Sequence, residues 1–357
     1  MAFSPQNRKG TLSGIIFVAI FAAAATFISG LAPVKALGLS PLVIGIVMGI
    51  FYANTLHNQT PKEWQTGITF SAKKILRFAI VLYGFRITFQ QIAEVGLEGF
   101  LVSLIMLSST LILGSWLGFK IFGMDKDTSI LTASGASVCG AAAVLATEPV
   151  LKAEEHKTAI AVSMVVLFGT ISMFLYPVMY EGLIKNAVGF LHMDPRTFGI
   201  YVGGTIHEVA QVVAVPASVP GAPTEMANAA VIVKMTRVIM IAPMLIILGL
   251  YLAWSAKKEG ASRDEKMKLV IPWFAVYFIG VAAFNSLPFM QTTGVKEFIN
   301  YINEIDTFLL TMAMTALGMG TIFAKFKGLG LAPIYTALSM FIWLVVGGFV
   351  VTKLICM

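Results

Sequence analysis

Long apolar runs recur along the whole chain, at 11–32, 41–56, 75–93, 97–122, 128–148, 157–181, 197–218, 227–255, 270–288, 305–325 and 330–355, with short polar connections between them. A helix that crosses a bilayer needs about 20 apolar residues, because a rise of about 1.5 Å per residue must cover about 30 Å of hydrocarbon. The pattern predicts an all-α polytopic membrane protein with eleven transmembrane segments, of which 41–56 is short and 128–148 and 197–218 are atypical. Composition agrees. Of 357 residues 57% are hydrophobic and 12% charged, against roughly 45–50% and about 25% in soluble domains. A cytosolic globular enzyme is excluded, and 1–357 is read as one integral membrane unit.

The net charge of +7 would hint at nucleic acid in a soluble protein. Here topology explains it better. With the N-terminus cytoplasmic, Arg8, Lys9, Lys62, Lys73, Lys74, Lys120, Lys126, Lys257, Lys258, Arg263, Lys266, Lys268, Lys325 and Lys327 fall inside. Only Lys35, Lys296 and Lys353 fall outside. This asymmetry predicts an inner-membrane protein with its N-terminus inside and its C-terminus outside. Lys152, Lys157, Lys185 and Arg196 flank 157–181 evenly and do not orient it. If 128–148 and 197–218 are re-entrant hairpins, only that central helix reverses, so both topologies stay open.

Arg8 and Lys9 before Ile15–Ile28, with small residues at Ala22–Ala25, also resemble a signal peptide. Ten further spans make a removable signal unnecessary, and the expectation is an uncleaved first helix. Cys139 and Cys356 lie far apart and imply no disulfide framework.

Two segments differ from lipid-facing helices. The run Thr132–Ala143 carries almost no bulky side chain. Gly135 and Gly140 permit a helix break, whose freed amides, with the hydroxyls of Ser134 and Ser137, would offer donors to an anion. A small-residue packing face explains the same composition. The second segment, Tyr201–Val213, places Gly203 and Gly204 before the ionisable pair His207 and Glu208 in an apolar run. On a helix Glu208 and Gln211 share a face, as do His207 and Gln211. An ionisable side chain at membrane depth costs at least a few kcal/mol and so faces a cavity or a partner. The pair suits proton coupling or substrate hydrogen bonding; an ion pair of Glu208 with a basic residue on another helix, merely locking the bundle, is the alternative.

Lys234 and Arg237 lie three residues apart on one helical face within 227–255, and Arg86 follows Gly84 in 75–93. Three buried cations against one acid, Glu208, leave a positive surplus that a bound anion would offset, with lipid headgroup contact or shallower burial as the alternative. Other polar positions say less. Asn54, His57 and Asn58 end the second span, Glu148 reads as a boundary residue, Pro243 predicts a kink after Arg237, and Thr311, Thr315, Gly318 and Gly320 form a small-residue window that could face the same cavity.

Sliding the chain by 234 residues pairs Ala79 with Ala313, Gly84 with Gly318 and Gly114 with Gly348. A second register pairs 128–148 with 305–325. Either implies inverted units, the arrangement of many secondary transporters.

These motifs resemble those of the YeiH-type sulfate exporter family. The resemblance covers most of the chain and rests on Leu76–Arg86, on Ser137-Val138-Cys139-Gly140, on Gly204–Val213 with its His-Glu-Val-Ala-Gln string, and on Lys234-Met235-Thr236-Arg237. Ala142 stands where the family often has a serine. More distantly the arrangement is similar to bile acid symporter and sodium/proton antiporter folds, with a panel and a core. On that pattern 11–56 would be panel helices, and 75–181 with 197–325 would hold the binding core.

The expected function is a proton-linked secondary transporter of a small anion of the sulfate, sulfite or sulfonate class. Substrate contacts are expected from Ser134, Ser137, Cys139, His207, Gln211, Lys234, Arg237 and Arg86, and proton coupling from His207 and Glu208. A monovalent-cation/proton antiporter using Glu208, and a non-transporting anion sensor, are the alternatives. An intramembrane zinc protease fits poorly, because Gln211 stands where His-Glu-x-x-His needs its second histidine. No metal, cofactor, enzymatic activity or nucleic-acid partner is expected; a homodimer is admitted but not required.

Overall fold

The computed structural model describes residues 4, 7–32, 34, 40–56, 60–258, 272–326 and 330–357. His57 and Asn58, with Lys35, Arg263, Lys266, Lys268 and Lys327, lie outside the described residues. The described residues form helices and connections only. They are α1 (Arg8–Ser29), α2 (Pro41–Thr55), α3 (65–83), α4 (Phe89–Ile121), α5 (Lys126–Ser137), α6 (Ala141–Leu151), α7 (Glu155–Met179), α8 (Pro195–Thr205), α9 (Val209–Ala217), α10 (Thr224–Ile239), α11 (Ile241–Lys258), α12 (Trp273–Asn285), α13 (Thr293–Gly320) and α14 (Leu331–Ile355). Five stretches are long and apolar enough to cross a membrane: α1, α4, His156–Ile184, Thr224–Trp254 across α10 and α11, and α14.

Side-chain contacts sort the helix ends onto two faces. Thr11 bonds Thr66, joining the starts of α1 and α3 on a near face. Asn54 bonds the Thr321 carbonyl, which brings the ends of α2 and α13 to that face. On the far face, Arg86 at the end of α3 meets Asp306, Asn285 at the end of α12 bonds the Ile87 carbonyl, and Lys353 of α14 bonds the His192 carbonyl.

The same contacts resolve the topology that the sequence leaves open. Lys157, opening α7, pairs with Asp125 and Asp127, which open α5, so both helices start at the near face. At the tip a Cβ on Gly135 would touch both Val144 of α6 and Val165 of α7, so α5 and α6 fold against each other and α6 returns to the near face. At the far face Arg196 pairs with Glu98, and Asn228 bonds the Arg86 carbonyl. Gly199 and Gly203 pack on Met226 and Ala230, so α8 and α10 run in parallel from that face, with α9 returning between them. Both 128–148 and 197–218 are therefore re-entrant hairpins rather than spans.

Hairpin depth follows from helix length. The 12 residues of α5 and the 11 of α8 rise about 18 and 16 Å, each roughly half of a hydrocarbon layer of about 30 Å. The two tips meet near the middle. Asp125 caps α5 by accepting the Thr128 N–H, and Asp194 caps α8 by accepting from Arg196 N and Thr197 N. Partial burial, the largest single influence, pushes the exposed Asp194 carboxyl up, but hydrogen bonds from the Thr197 side chain and from the N–H groups of Thr197 and Arg196 outweigh it and hold the carboxyl below its usual range.

Around the hairpins stand α4, α7, α10 and α14. The helices α1, α2, α3, α12 and α13 form a second group, so α3 and α13, expected in the core, pack with α1 and α2. Glycines set this packing. Gly45 and Gly49 of α2 lie so close to Thr311, Thr315 and Met319 that a Cβ at either would reach within 2.5 Å of α13. Thr311, Thr315 and Gly318 of the small-residue window thus face α2, whereas Leu317 beside them lines a cavity. The continuous course of α13 also removes the register pairing 128–148 with 305–325, since one is a hairpin and the other an unbroken helix. The alternative register keeps its inversion, with α3 and α13 running in opposite directions. Pro243 interrupts the helix as expected, at Met240 between α10 and α11, where it lacks an N–H and its ring crowds the preceding turn.

Candidate functional site at the hairpin tips

The first hairpin breaks at Val138-Cys139-Gly140 and the second at Ile206-His207-Glu208. Gly140 has φ +74°, a conformation that favours glycine, and a Cβ there would lie 2.5 Å from Cγ of Glu208. Gly135, the other expected break, remains helical. The helical face expected for His207 with Gln211 does not form, because His207 lies in the break. Glu208 is the N-cap of α9, and its N–H donates to Oε1 of Gln211 at 3.1 Å.

At each break a helix C-terminus leaves carbonyls without intrahelical partners, carrying about half a negative charge. Two fully buried cations of α10 meet them. Lys234 Nζ donates to the carbonyls of Val138 (2.8 Å), Ile206 (2.7 Å) and His207 (2.7 Å). Arg237 donates to those of Ser137 (2.6 Å), Ala136 (2.7 Å) and Ile206 (3.2 Å). An ammonium has three N–H bonds, and all three of Lys234 are committed. The expectation that Lys234 contacts an anion directly is thereby corrected: it ties the two tips together. Arg237 retains two of its five donors.

The starts of the returning helices face the other way. Ala141, opening α6, donates its N–H to Oε1 of Glu208 at 3.4 Å, so the acid of one hairpin lies at the positive end of a helix in the other. A cavity of about 560 Å³ reaches this point, running from Lys73, Glu148 and Thr158 near the near face to Cys139, Ala141 and Glu208. Glu148, read from sequence as a boundary residue, and Arg77 line its wall. Ser134 and Ser137 are buried beside the tip, and their hydroxyls donate back to Leu131 and Ser134 carbonyls. Their oxygens keep lone pairs but offer no free proton in this arrangement.

His207 is 2% exposed and Gln211 fully buried, yet His207 Nδ1 and Gln211 Nε2 have no hydrogen-bond partner among the described residues. An unpaired buried polar atom costs roughly 1–3 kcal/mol, so a polar ligand or water is the natural partner. Gln211 lies against Gly169 of α7, where a Cβ would come within 2.4 Å of its amide oxygen.

Arg86 does not join this site. It lies at the far end of α3, bonded to Asp306 (3.0 Å), Thr307 and the Asn303 carbonyl. Asp306 is fully buried in mid-helix because α13 begins at Thr293, well before the expected 305. Three cations against one acid thus becomes one neutral pair at the far face, and two cations against Glu208 at the tips.

Sequence reasoning missed two contributors to this site and the acid that holds Arg86 away from it. Gly169 gave no signal beyond its place in an apolar helix, and Asp306 stood at the edge of its expected span. The second contributor is an aromatic brace: Tyr176 of α7 stacks on Tyr201 of α8 at 4.9 Å and donates to Thr205, while the Tyr201 hydroxyl bonds the Val345 carbonyl of α14. It buttresses the tip of the second hairpin from α7 and α14.

Comparison with known proteins agrees with the motifs. A family model described as conserved hypothetical protein 698 matches residues 13–337. A UPF0324 membrane protein of Bordetella pertussis is 45% identical over 350 residues, 98% of this chain and 97% of that protein. The UPF0324 inner membrane protein YeiH of Escherichia coli K12 is 44% identical over 94% of this chain and 92% of its own. A UPF0324 membrane protein of Pseudomonas putida is 44% identical over 98% of this chain. With that identity over nearly the full length, and with two opposed hairpins built from the motifs themselves, the chain belongs to the UPF0324 family of YeiH-type membrane proteins.

Proposed function

We propose that this protein is a secondary transporter that moves a small anion of the sulfate, sulfite or sulfonate class across the inner membrane together with a proton, by alternating access. The observation that carries this reading is the meeting of two re-entrant hairpins at mid-depth, where the Ala141 amide faces the Glu208 carboxylate at the end of a cavity. Irregular backbone at membrane depth is tolerated where it lines a cavity or is buried in protein, and transporters use such half-helix ends as ion sites. The opposed hairpins are the feature shared with bile acid symporter and sodium/proton antiporter folds, a likeness at the level of fold only.

Charge selects the cargo. Two cations against one acid at the tips leave a positive surplus, and Lys73 and Arg77 line the approach. Glu208 then acts as an internal substitute for the anion. A carboxylate on the Ala141 amide blocks it; a protonated Glu208 releases it, and the incoming anion accepts that N–H with Gln211 Nε2 as a second donor. Anion and proton are thereby bound together. Lys234 and Arg237 contribute by holding the tips, and His207, next to Glu208, is the second candidate proton carrier. The near face, which bears Lys62, Lys73, Lys120 and Lys126 together with Lys152 and Lys157, is the cytoplasmic one under the positive-inside rule.

The test is flux in proteoliposomes. Sulfate, sulfite, thiosulfate and taurine uptake, with and without an imposed pH gradient, is expected to show accumulation of at least one anion driven by protons. One observation favours a monovalent-cation/proton antiporter: Glu208 is the carboxylate at the inner end of the cavity. Sodium or potassium exchange without anion flux would select that reading, and anion binding without any flux would select a sensor.

A further inference from the structure

A second cavity, of about 610 Å³, shares no lining residue with the hairpin cavity and lies in a groove between α4 and α11 that the start of α5 closes at one end. Its volume falls in the range of sites that hold a small molecule, about 300–1,000 Å³. The walls are aliphatic, and Ile112 of α4 and Ile247 of α11 are 70% and 67% exposed. No acidic residue lines it. At one end stand Lys120, Lys126, Trp116 and Tyr251.

That end has the character of a membrane interface, where Trp, Tyr and Lys gather. Lys126 Nζ is held 5.9 Å above the Tyr251 ring, and Lys120 Nζ lies 5.2 Å from the Phe119 ring. Neither lysine makes an ion pair among the described residues. The acids flanking Lys126 in sequence, Asp125 and Asp127, are bridged instead by Lys157 at 3.1 and 3.2 Å. Two ammonium groups thus remain available at the mouth of an apolar groove. The length fits too. From Met240 to Tyr251 the helix rises about 16 Å, close to one leaflet's share, about 15 Å, of the hydrocarbon layer.

We propose that this groove is a binding site for one anionic phospholipid of the near-face leaflet, its phosphate between Lys120 and Lys126 and an acyl chain along α4 and α11. On its protein side α11 rests through Leu248 and Leu252 on the first hairpin. The lipid covers the other side and braces the helix that continues from Lys234 and Arg237. The site is independent of what the protein transports.

The experiment uses the full chain reconstituted in mixed phosphatidylcholine and phosphatidylglycerol, extracted gently and weighed by native mass spectrometry. The wild type is expected to retain one phosphatidylglycerol in preference to phosphatidylcholine. The K120Q/K126Q variant should lose that preference by up to about 30-fold, the ratio corresponding to about 1 kcal/mol per lysine, and K120R/K126R should keep it. An I112W/I247W variant, which fills the groove, should lose both lipids. Equal retention of the two lipids by the wild type, or phosphatidylglycerol retention unchanged in both K120Q/K126Q and I112W/I247W, would overturn the proposal. A disulfide-linked dimer formed by S115C in lipid would also overturn it, since a second copy would then cover the groove.

Discussion

The amide of Ala141 bonds the carboxylate of Glu208 across 67 positions of sequence, so the helix that returns from one re-entrant hairpin is closed by an acid from the other. Helix starts carry about half a positive charge, and here that charge is met inside the protein. Whatever displaces Glu208 must itself be an acceptor.

Glu208→Gln keeps the side-chain shape and removes the charge that competes with an anion. If the competition operates, anion flux in the variant becomes independent of an imposed pH gradient while binding persists. Complete loss of anion binding, with the variant folded, would count against it.

Lys234→Met removes the donor shared by three helix-terminal carbonyls. Ile206 keeps its bond from Arg237, so two carbonyls lose their donor, and at roughly 1–3 kcal/mol for each unpaired buried group the cost is about 2 kcal/mol or more. Thermal unfolding in detergent should shift downward by several degrees, and with it proteolysis should reach the hairpins. A variant as stable as the wild type that merely fails to bind anion would return Lys234 to a ligand role.

Gly169→Ala places a methyl group against Gln211, and Gly140→Ala adds one against Glu208 at a positive φ. Both should abolish flux. Gly182→Ala, where a Cβ meets nothing within 4 Å, is the control and should transport normally.

Cysteine labelling tests the hairpins. In a background with Cys139 and Cys356 replaced, K152C should react with an impermeant thiol reagent from the same side as K62C, and K185C from the side of K353C. An eleven-span protein would give the opposite sides for positions 152 and 185, leaving 62 and 353 unchanged.

Asp194 offers a pH-dependent contact at the far face. Its carboxyl titrates below the usual range when folded, so its stabilising effect is complete above the ordinary aspartate range and lost as pH falls through the folded value. Asp194→Ala should cost about 1 kcal/mol near neutral pH. The difference from wild type should vanish in acid; a gap that persists there would assign the effect to packing.

Part of the site is legible in the sequence. A run as bare as Thr132–Ala143 must sit at a break or a close packing face, and His207-Glu208 must face a cavity or a partner, because hydrocarbon satisfies no charge. Local chemistry therefore singled out both segments, but it read His207 and Gln211 as one helical face where the structure has a break, and it gave Lys234 and Arg237 a shared face without the carbonyls they meet. The role of Lys234 was not legible, since sequence shows a cation but not the carbonyls that consume its protons. Arg86 was misassigned for a related reason: its partner Asp306 lies 220 residues away on a helix whose polar first turns hide its true start.

What the sequence determined by itself was an all-helical membrane chain, the family, and the residues too costly to bury without purpose. Those follow from composition and from the energy of single groups in hydrocarbon. Only the tertiary structure decided that 128–148 and 197–218 turn back instead of crossing. A run of about 20 apolar residues satisfies its backbone equally well as a span or as a hairpin packed in protein. The choice is made by contacts between distant segments, Lys157 with Asp125 at one face and Arg196 with Glu98 at the other.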